Sequence, residues 1–90
     1  MPEARVKIAS EVGLHARPAA VFVKSAAQQG CGVSIGRPDG ELVDATSILA
    51  VLGLAIGHNE EIVLRTEGEG AENALTALSD LLTHEEPAAS

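Results

Sequence analysis

The apolar residues of this 90-residue chain switch between two rhythms, the alternation of a strand and the three-to-four spacing of a helix. Read in order, they give strand, helix, strand, strand, helix, strand, helix. Ala4 to Ile8 alternates, with Val6 and Ile8 on one side and Arg5 and Lys7 on the other. Glu11 to Leu14 reads as a loop. Ala16 to Gln28 has helical spacing in Ala16, Ala19, Ala20, Val23, Ala26 and Ala27, with Gly30 as its stop signal. Pro18 fits there because a first-turn residue has no intrahelical use for its N–H. Val33 to Ile35 and Leu42 to Val43 are short strands around Arg37-Pro38-Asp39-Gly40, a run with strong turn chemistry. Ser47 to Leu54 is a short apolar helix with Ser47 at its N-cap, and Gly57-His58-Asn59 is a turn. Glu61 to Thr66 is a strand that alternates less cleanly. Ala71 to Thr83 is an amphipathic helix whose core face holds Ala71, Ala74, Leu75, Leu78, Leu81 and Leu82.

Half-buried strands and one-sided helices in this order predict an α+β domain, a mostly antiparallel sheet with all helices on one face. The length allows one domain, spanning 1–90, with 85–90 as a frayed tail. Phe22 is the single aromatic residue, so the core is expected from Val, Leu, Ile and Ala.

Charge and composition exclude several functions. The formal net charge is −7, and Tyr and Trp are absent. Both disfavour nucleic acid, which asks for a basic surface or an aromatic stacking platform. No apolar run spans a bilayer, and Ile48 to Ile56, the nearest, is too short. Cys31 stands alone, which rules out an internal disulfide and suits a reducing cytoplasm. The histidines are far apart, without metal-ligand spacing, so no metal or cofactor is expected. His58 and the pairs Glu60-Glu61 and Glu85-Glu86 read as solvated. The acids are unevenly spread: none falls between Glu11 and Asp39, nor from Ala45 to Asn59. If those two segments adjoin, they make a neutral-to-basic patch suited to an acidic partner.

Gly13 to Ala19 reads GLHARPA. His15 stands just before the first helix, whose opening amides lack partners and whose dipole adds about half a positive charge. At neutral pH a ring nitrogen of histidine keeps a free lone pair. That lone pair can accept a phosphoryl group, and amides near Ala16 and Arg17, with the Arg17 guanidinium, can hold its oxygens. Residue chemistry alone leaves a capping histidine and an exposed arginine as the alternative.

The GLHARPA string resembles the active-site signature of the HPr family, the histidine-containing phosphocarriers of the bacterial phosphoenolpyruvate-dependent sugar phosphotransferase system. The likeness extends from about Ala4 to Leu82 in element order and hydrophobic pattern. It implies an open-faced β-sandwich, with a four-stranded antiparallel sheet of order 1-4-2-3 under three helices. It implies that His15 is phosphorylated on Nδ1, with Arg17 neutralising the phosphate, Pro18 in the first turn and Ala16 offering its backbone N–H. The implied donor is enzyme I and the implied acceptors are enzyme IIA domains of sugar transporters. The chain is thus expected to be a carrier and not an enzyme, cytoplasmic, monomeric, and free of nucleic acid or membrane insertion.

The resemblance also points to Ser47, which matches a serine that an ATP-dependent kinase phosphorylates in many Gram-positive relatives. A plain N-cap serine is the other reading. Thr46 departs from the family, which often has a basic residue there, and Leu49 and Leu52 stand where methionines are common. Ile48, Leu49 and Leu52, with Ala20 and Lys24 of the first helix, are the expected docking surface for partners. HPr kinase/phosphorylase and a transcriptional regulator are the further partners the resemblance implies. The alternative functions are a regulatory module of the same fold that reads Ser47 phosphorylation and docks onto a transcription factor or metabolic enzyme, and a nitrogen-branch phosphocarrier. A hydrolase using His15 as base is the remote one.

Overall fold

A computed structural model describes residues 2–8 and 16–83, with the backbone alone at 16–18. The elements are β1 (Glu3–Lys7), α1 (Ala16–Gln28), β2 (Gly32–Gly36), β3 (Val43–Asp44), α2 (Ile48–Gly53), β4 (Glu61–Glu67) and α3 (Ala71–Thr83). The strands form one sheet of order β1-β4-β2-β3, and every pairing is antiparallel. This is the predicted α+β architecture, down to the strand order.

The register explains which side chains meet the helices. Val6 stands opposite Ile62, while Leu64 is opposite Ala4 on one side and Ile35 on the other. Because side chains alternate across a sheet, these residues share a face. Phe22 of α1, Val51 of α2 and Leu78 of α3 join them in one buried cluster. Phe22 is 0% exposed, so the single aromatic is a central core residue alongside the expected aliphatics. Thr66 is the buried polar residue among those described, and its Oγ1 donates to the Ala71 carbonyl at 2.7 Å. That bond satisfies the hydroxyl and ties the end of β4 to the start of α3.

The opposite face carries Arg5, Glu61, Arg65 and Glu3, paired across strands as Arg5–Glu61 and Arg65–Glu3. Val63 interrupts this polar face and is 7% exposed. It lies between Arg5 and Gly36 in the register. At Gly36 a Cβ would lie 2.6 Å from the Glu41 carbonyl oxygen and 2.8 Å from Leu42 Cδ2, so glycine is what lets the β2–β3 connection close over the strand. Burial of Val63 beside polar neighbours accounts for the imperfect alternation of β4.

Several expectations need correction. β3 is Val43–Asp44, one residue later than expected, because Ile35 pairs with Val43 and Ser34 with Asp44. α2 stops at Gly53, with Leu54 as its C-cap. Of the alanines that give α1 its helical spacing, Ala20, expected on the docking surface, and Ala27 are exposed, because α1 buries the stripe Ala19, Phe22 and Ala26. Leu75 and Leu81 are half-buried at the margin of the core. Glu60 is an ion-pair partner of Arg37 and half-buried, not a solvated acid.

Candidate functional site

α1 begins at Ala16, the residue after His15, and has no acid in its first turn. Its first backbone amides have no carbonyl one turn earlier in the helix to bond, and the positive end of the dipole lies there. His15 itself and the side chains of Arg17 and Pro18 lie outside the described residues. What frames them is described on both sides. Upstream, Ile8 is anchored to the α2–β4 connection: its carbonyl accepts from the Asn59 N–H at 2.9 Å, and its own N–H donates to the Glu60 carbonyl at 3.1 Å. Downstream, burial of Ala19, Phe22 and Ala26 fixes the rotation of α1 about its axis. That rotation leaves Ala20, Val21 and Lys24 exposed.

α1 packs against α2, so the two acid-free segments do adjoin. Among the described residues of α2, Val51 is the buried one. Leu49 is 79% exposed, and Ile48 and Leu52 lie at 36% and 37%. With Val21 at 44%, they are the large apolar side chains that stand exposed among the described residues. Gathering such side chains on two adjoining helices is the mark of an interaction surface rather than of scattered exposure. Lys24 supplies a cation on α1. Sequence reasoning missed Val21, although its three-residue offset from Lys24 places both on one side of a helix.

Ser47 caps α2 as expected, its Oγ accepting from the Ala50 N–H at 3.3 Å. Just before it, Asp44 Oδ1 accepts from the Thr46 hydroxyl at 2.7 Å and from the Thr46 N–H at 2.9 Å. The Thr46 hydroxyl, then its amide, holds the Asp44 carboxyl below its ordinary value, and slight burial opposes them. A depressed carboxylate pKa contributes stability above the unfolded-state value, and that contribution is lost as pH falls through the folded one. Acidification below about pH 4 is therefore expected to loosen the lead-in to α2. In urea titrations over this range the wild type should lose midpoint more steeply than Asp44→Asn. Parallel slopes would show that the Thr46 bonds do not favour the charged form.

Cys31 is free, half-buried and packed against the core, and His58 is exposed in its turn. No group of three or more His, Cys, Asp or Glu among the described residues is arranged to hold a metal. No helix among them is long and apolar enough to cross a membrane.

A helix opening after a GLHARPA histidine, over a 1-4-2-3 sheet and beside an apolar two-helix surface, defines a phosphocarrier class of small domain. Residues 2–84 match the family described as the PTS HPr component phosphorylation site. The chain is 50% identical over 82 residues to the phosphocarrier protein HPr of Streptomyces coelicolor, covering 91% of this chain and 88% of that protein. The crystal structure of a phosphocarrier protein HPr from Bacillus anthracis superposes with a TM-score of 0.86 at 41% identity, over 90% of this chain and 95% of that one. The chain belongs to the HPr family of phosphotransferase-system phosphocarriers. An HPr dimer from Thermoanaerobacter tengcongensis is also similar, with a TM-score of 0.69 at 36% identity over 90% of this chain and 92% of that one. Family membership therefore lends no weight to the expected monomer.

Proposed function

We propose that this protein carries a phosphoryl group on Nδ1 of His15, received from phosphorylated enzyme I and passed to enzyme IIA domains of sugar transporters. The observation that carries the reading is the GLHARPA string running into the start of α1 at Ala16, on a helix that packs against α2, in a chain of the HPr family. In the first transfer the Nδ1 lone pair forms a bond to phosphorus as the bond to enzyme I breaks. In the second, the phosphorus–Nδ1 bond breaks as the acceptor's bond forms, and His15 is regenerated. Little covalent work falls to the protein, so its task is positioning and charge stabilisation. The Arg17 guanidinium and the Ala16 backbone N–H serve the phosphoryl oxygens, and Pro18 opens the helix without consuming an acceptor. The protein turns over no substrate of its own and needs no cofactor. It works as a single domain in the cytoplasm, as a monomer that releases each partner.

Ala20, Val21, Lys24, Ile48, Leu49 and Leu52 form the docking surface in this reading. Apolar contact supplies affinity there, and Lys24 with the missing acids favours acidic partners. Ser47 is the regulatory position. A phosphate on it adds about −1.5 to −2 charge beside that surface and opposes docking of an acidic partner. HPr kinase/phosphorylase and a transcriptional regulator are the partners for that state. A purely regulatory module of this fold has no use for the GLHARPA histidine, which favours the carrier.

The test is incubation with phosphoenolpyruvate and enzyme I, with one acid-labile, base-stable phosphoryl group expected per chain. The docking role makes its own prediction at Leu49, which is 79% exposed. Leu49→Glu removes no core packing and should leave the urea midpoint within about 0.5 kcal/mol of wild type. It should raise the KM for enzyme I about tenfold, as expected when a charge enters an apolar contact. An unchanged KM would place docking elsewhere.

A further inference from the structure

Helix α2 has six residues and buries one of them, Val51. A helix so short is not stable alone in water, so its orientation depends on what holds its two ends as well as on Val51 and its packing against α1. Its N-terminal end is held by the Ser47 cap. Its C-terminal end is held from another part of the chain. Arg37, on the β2–β3 turn, donates from Nη2 to the Leu54 carbonyl at 2.8 Å and to the Ala55 carbonyl at 3.2 Å. Its Nη1 pairs with Glu60 Oε2. Glu60 Oε1 in turn accepts from the Gly57 N–H at 2.9 Å. Two side chains thus tie down the connection from 54 to 60 at both ends. Ala55 within it has φ +52°, a backbone conformation unfavourable for a residue with a Cβ. The Leu54 carbonyl that Arg37 takes belongs to the C-cap of α2, one of those a helix end leaves without a partner, and a cation there also complements the dipole.

We propose that Arg37 is a positioning residue for partner docking, and that its clamp on the C-terminal end of α2 holds Ile48, Leu49 and Leu52 in the arrangement that enzyme I engages. The proposal rests on the carrier reading above. Arg37 acts through α2 and does not itself touch the partner. Without the clamp, α2 frays from Leu54 backwards and the docking-competent fraction falls, which raises the apparent dissociation constant in proportion.

The test compares phosphoryl transfer from enzyme I with amide hydrogen exchange in four variants. R37M should raise the KM for enzyme I about three- to tenfold while kcat stays within about twofold. The Leu54 and Ala55 amides, bonded to Val51 and Leu52, should exchange about tenfold faster, the scale of losing a charge-assisted hydrogen bond. R37K should recover part of both effects. E60Q should move both in the same direction by less, although it makes the surface more positive. R65M, which removes the ion pair with Glu3 at the opposite end of β1, should move neither and controls for general loss of stability. If R37M does not fold, R37K and E60Q make the same comparison. Wild-type KM in these variants overturns the proposal while leaving the carrier reading intact. A raised KM in R37M with unchanged exchange, and an unchanged or lower KM in E60Q, means that Arg37 touches the partner directly, which also overturns it. Failure of the wild type to accept phosphate from enzyme I ends the carrier reading, and the proposal with it.

Discussion

His15→Ala leaves a folded protein that accepts no phosphoryl group from enzyme I. Mass spectrometry after incubation with phosphoenolpyruvate and enzyme I should find the added group on the wild type and none on the variant. The expected loss is complete because no other nucleophile stands in its place: Ala16 has no side-chain lone pair, and the Arg17 guanidinium stays protonated. Folding should survive, since the substitution removes none of the side chains that build the described core. Urea midpoints within about 0.5 kcal/mol of one another would establish that the loss is chemical. A phosphoryl group that persists on His15→Ala moves the site elsewhere. One that is stable to acid points instead to a hydroxyl, with Ser47 the first to examine.

Phe22→Ala should be the most destabilising single change in the core. Phe22 is among the largest fully buried side chains, at 0% exposure, on the helix that follows His15. Truncating a buried phenylalanine removes its transfer energy and leaves a cavity, together about 3–5 kcal/mol. Small domains have about 5–15 kcal/mol in all, and this one sits toward the small end of the size range. The variant should therefore unfold at a much lower urea concentration, with a measurable unfolded population near 37 °C. Phe22→Leu, which keeps more of the volume, should lose less. Phosphoryl transfer by Phe22→Ala should fall with its folded fraction and recover on cooling. A loss under about 1 kcal/mol would mean that α1 is held mainly by other contacts.

Much of this domain is legible before any coordinates are seen. Val6 and Ile8 alternate with Arg5 and Lys7, and the structure buries the first pair and exposes the second. Ser47 reads as an N-cap and is one. The GLHARPA string points to the family that the match over residues 2–84 then shows, because the chemistry proposed for it needs a particular side chain beside a helix start. The misreadings share a cause, which is that burial depends on a partner element that periodicity does not reveal. Leu75 and Leu81 fit the helical pattern as well as Leu78 and Leu82, but α3 meets the core along a narrower stripe that leaves them half-buried. Val63 breaks the alternation of β4 because the other sheet face is partly covered beside Gly36. Glu60 looks like any surface acid until Arg37, 23 residues earlier, is brought to it. The Arg37 contacts to Leu54 and Ala55 were illegible for the same reason, since a side-chain bond to a distant carbonyl leaves no trace in residue spacing. Val21 could have been read from its place in the helical repeat.

β4 lies between β1 and β2 and pairs with both along their whole lengths, yet it is the last strand in the chain. During synthesis the N-terminal strand therefore waits for residues made about two-thirds of a chain later. Until Glu61–Glu67 has cleared the ribosome, β1 has no neighbour and β2 has only the two-residue β3. Cotranslational helix formation in α1 can precede that moment, but the sheet assembles in one late event, a topology that favours slow, all-or-none folding over stepwise accretion.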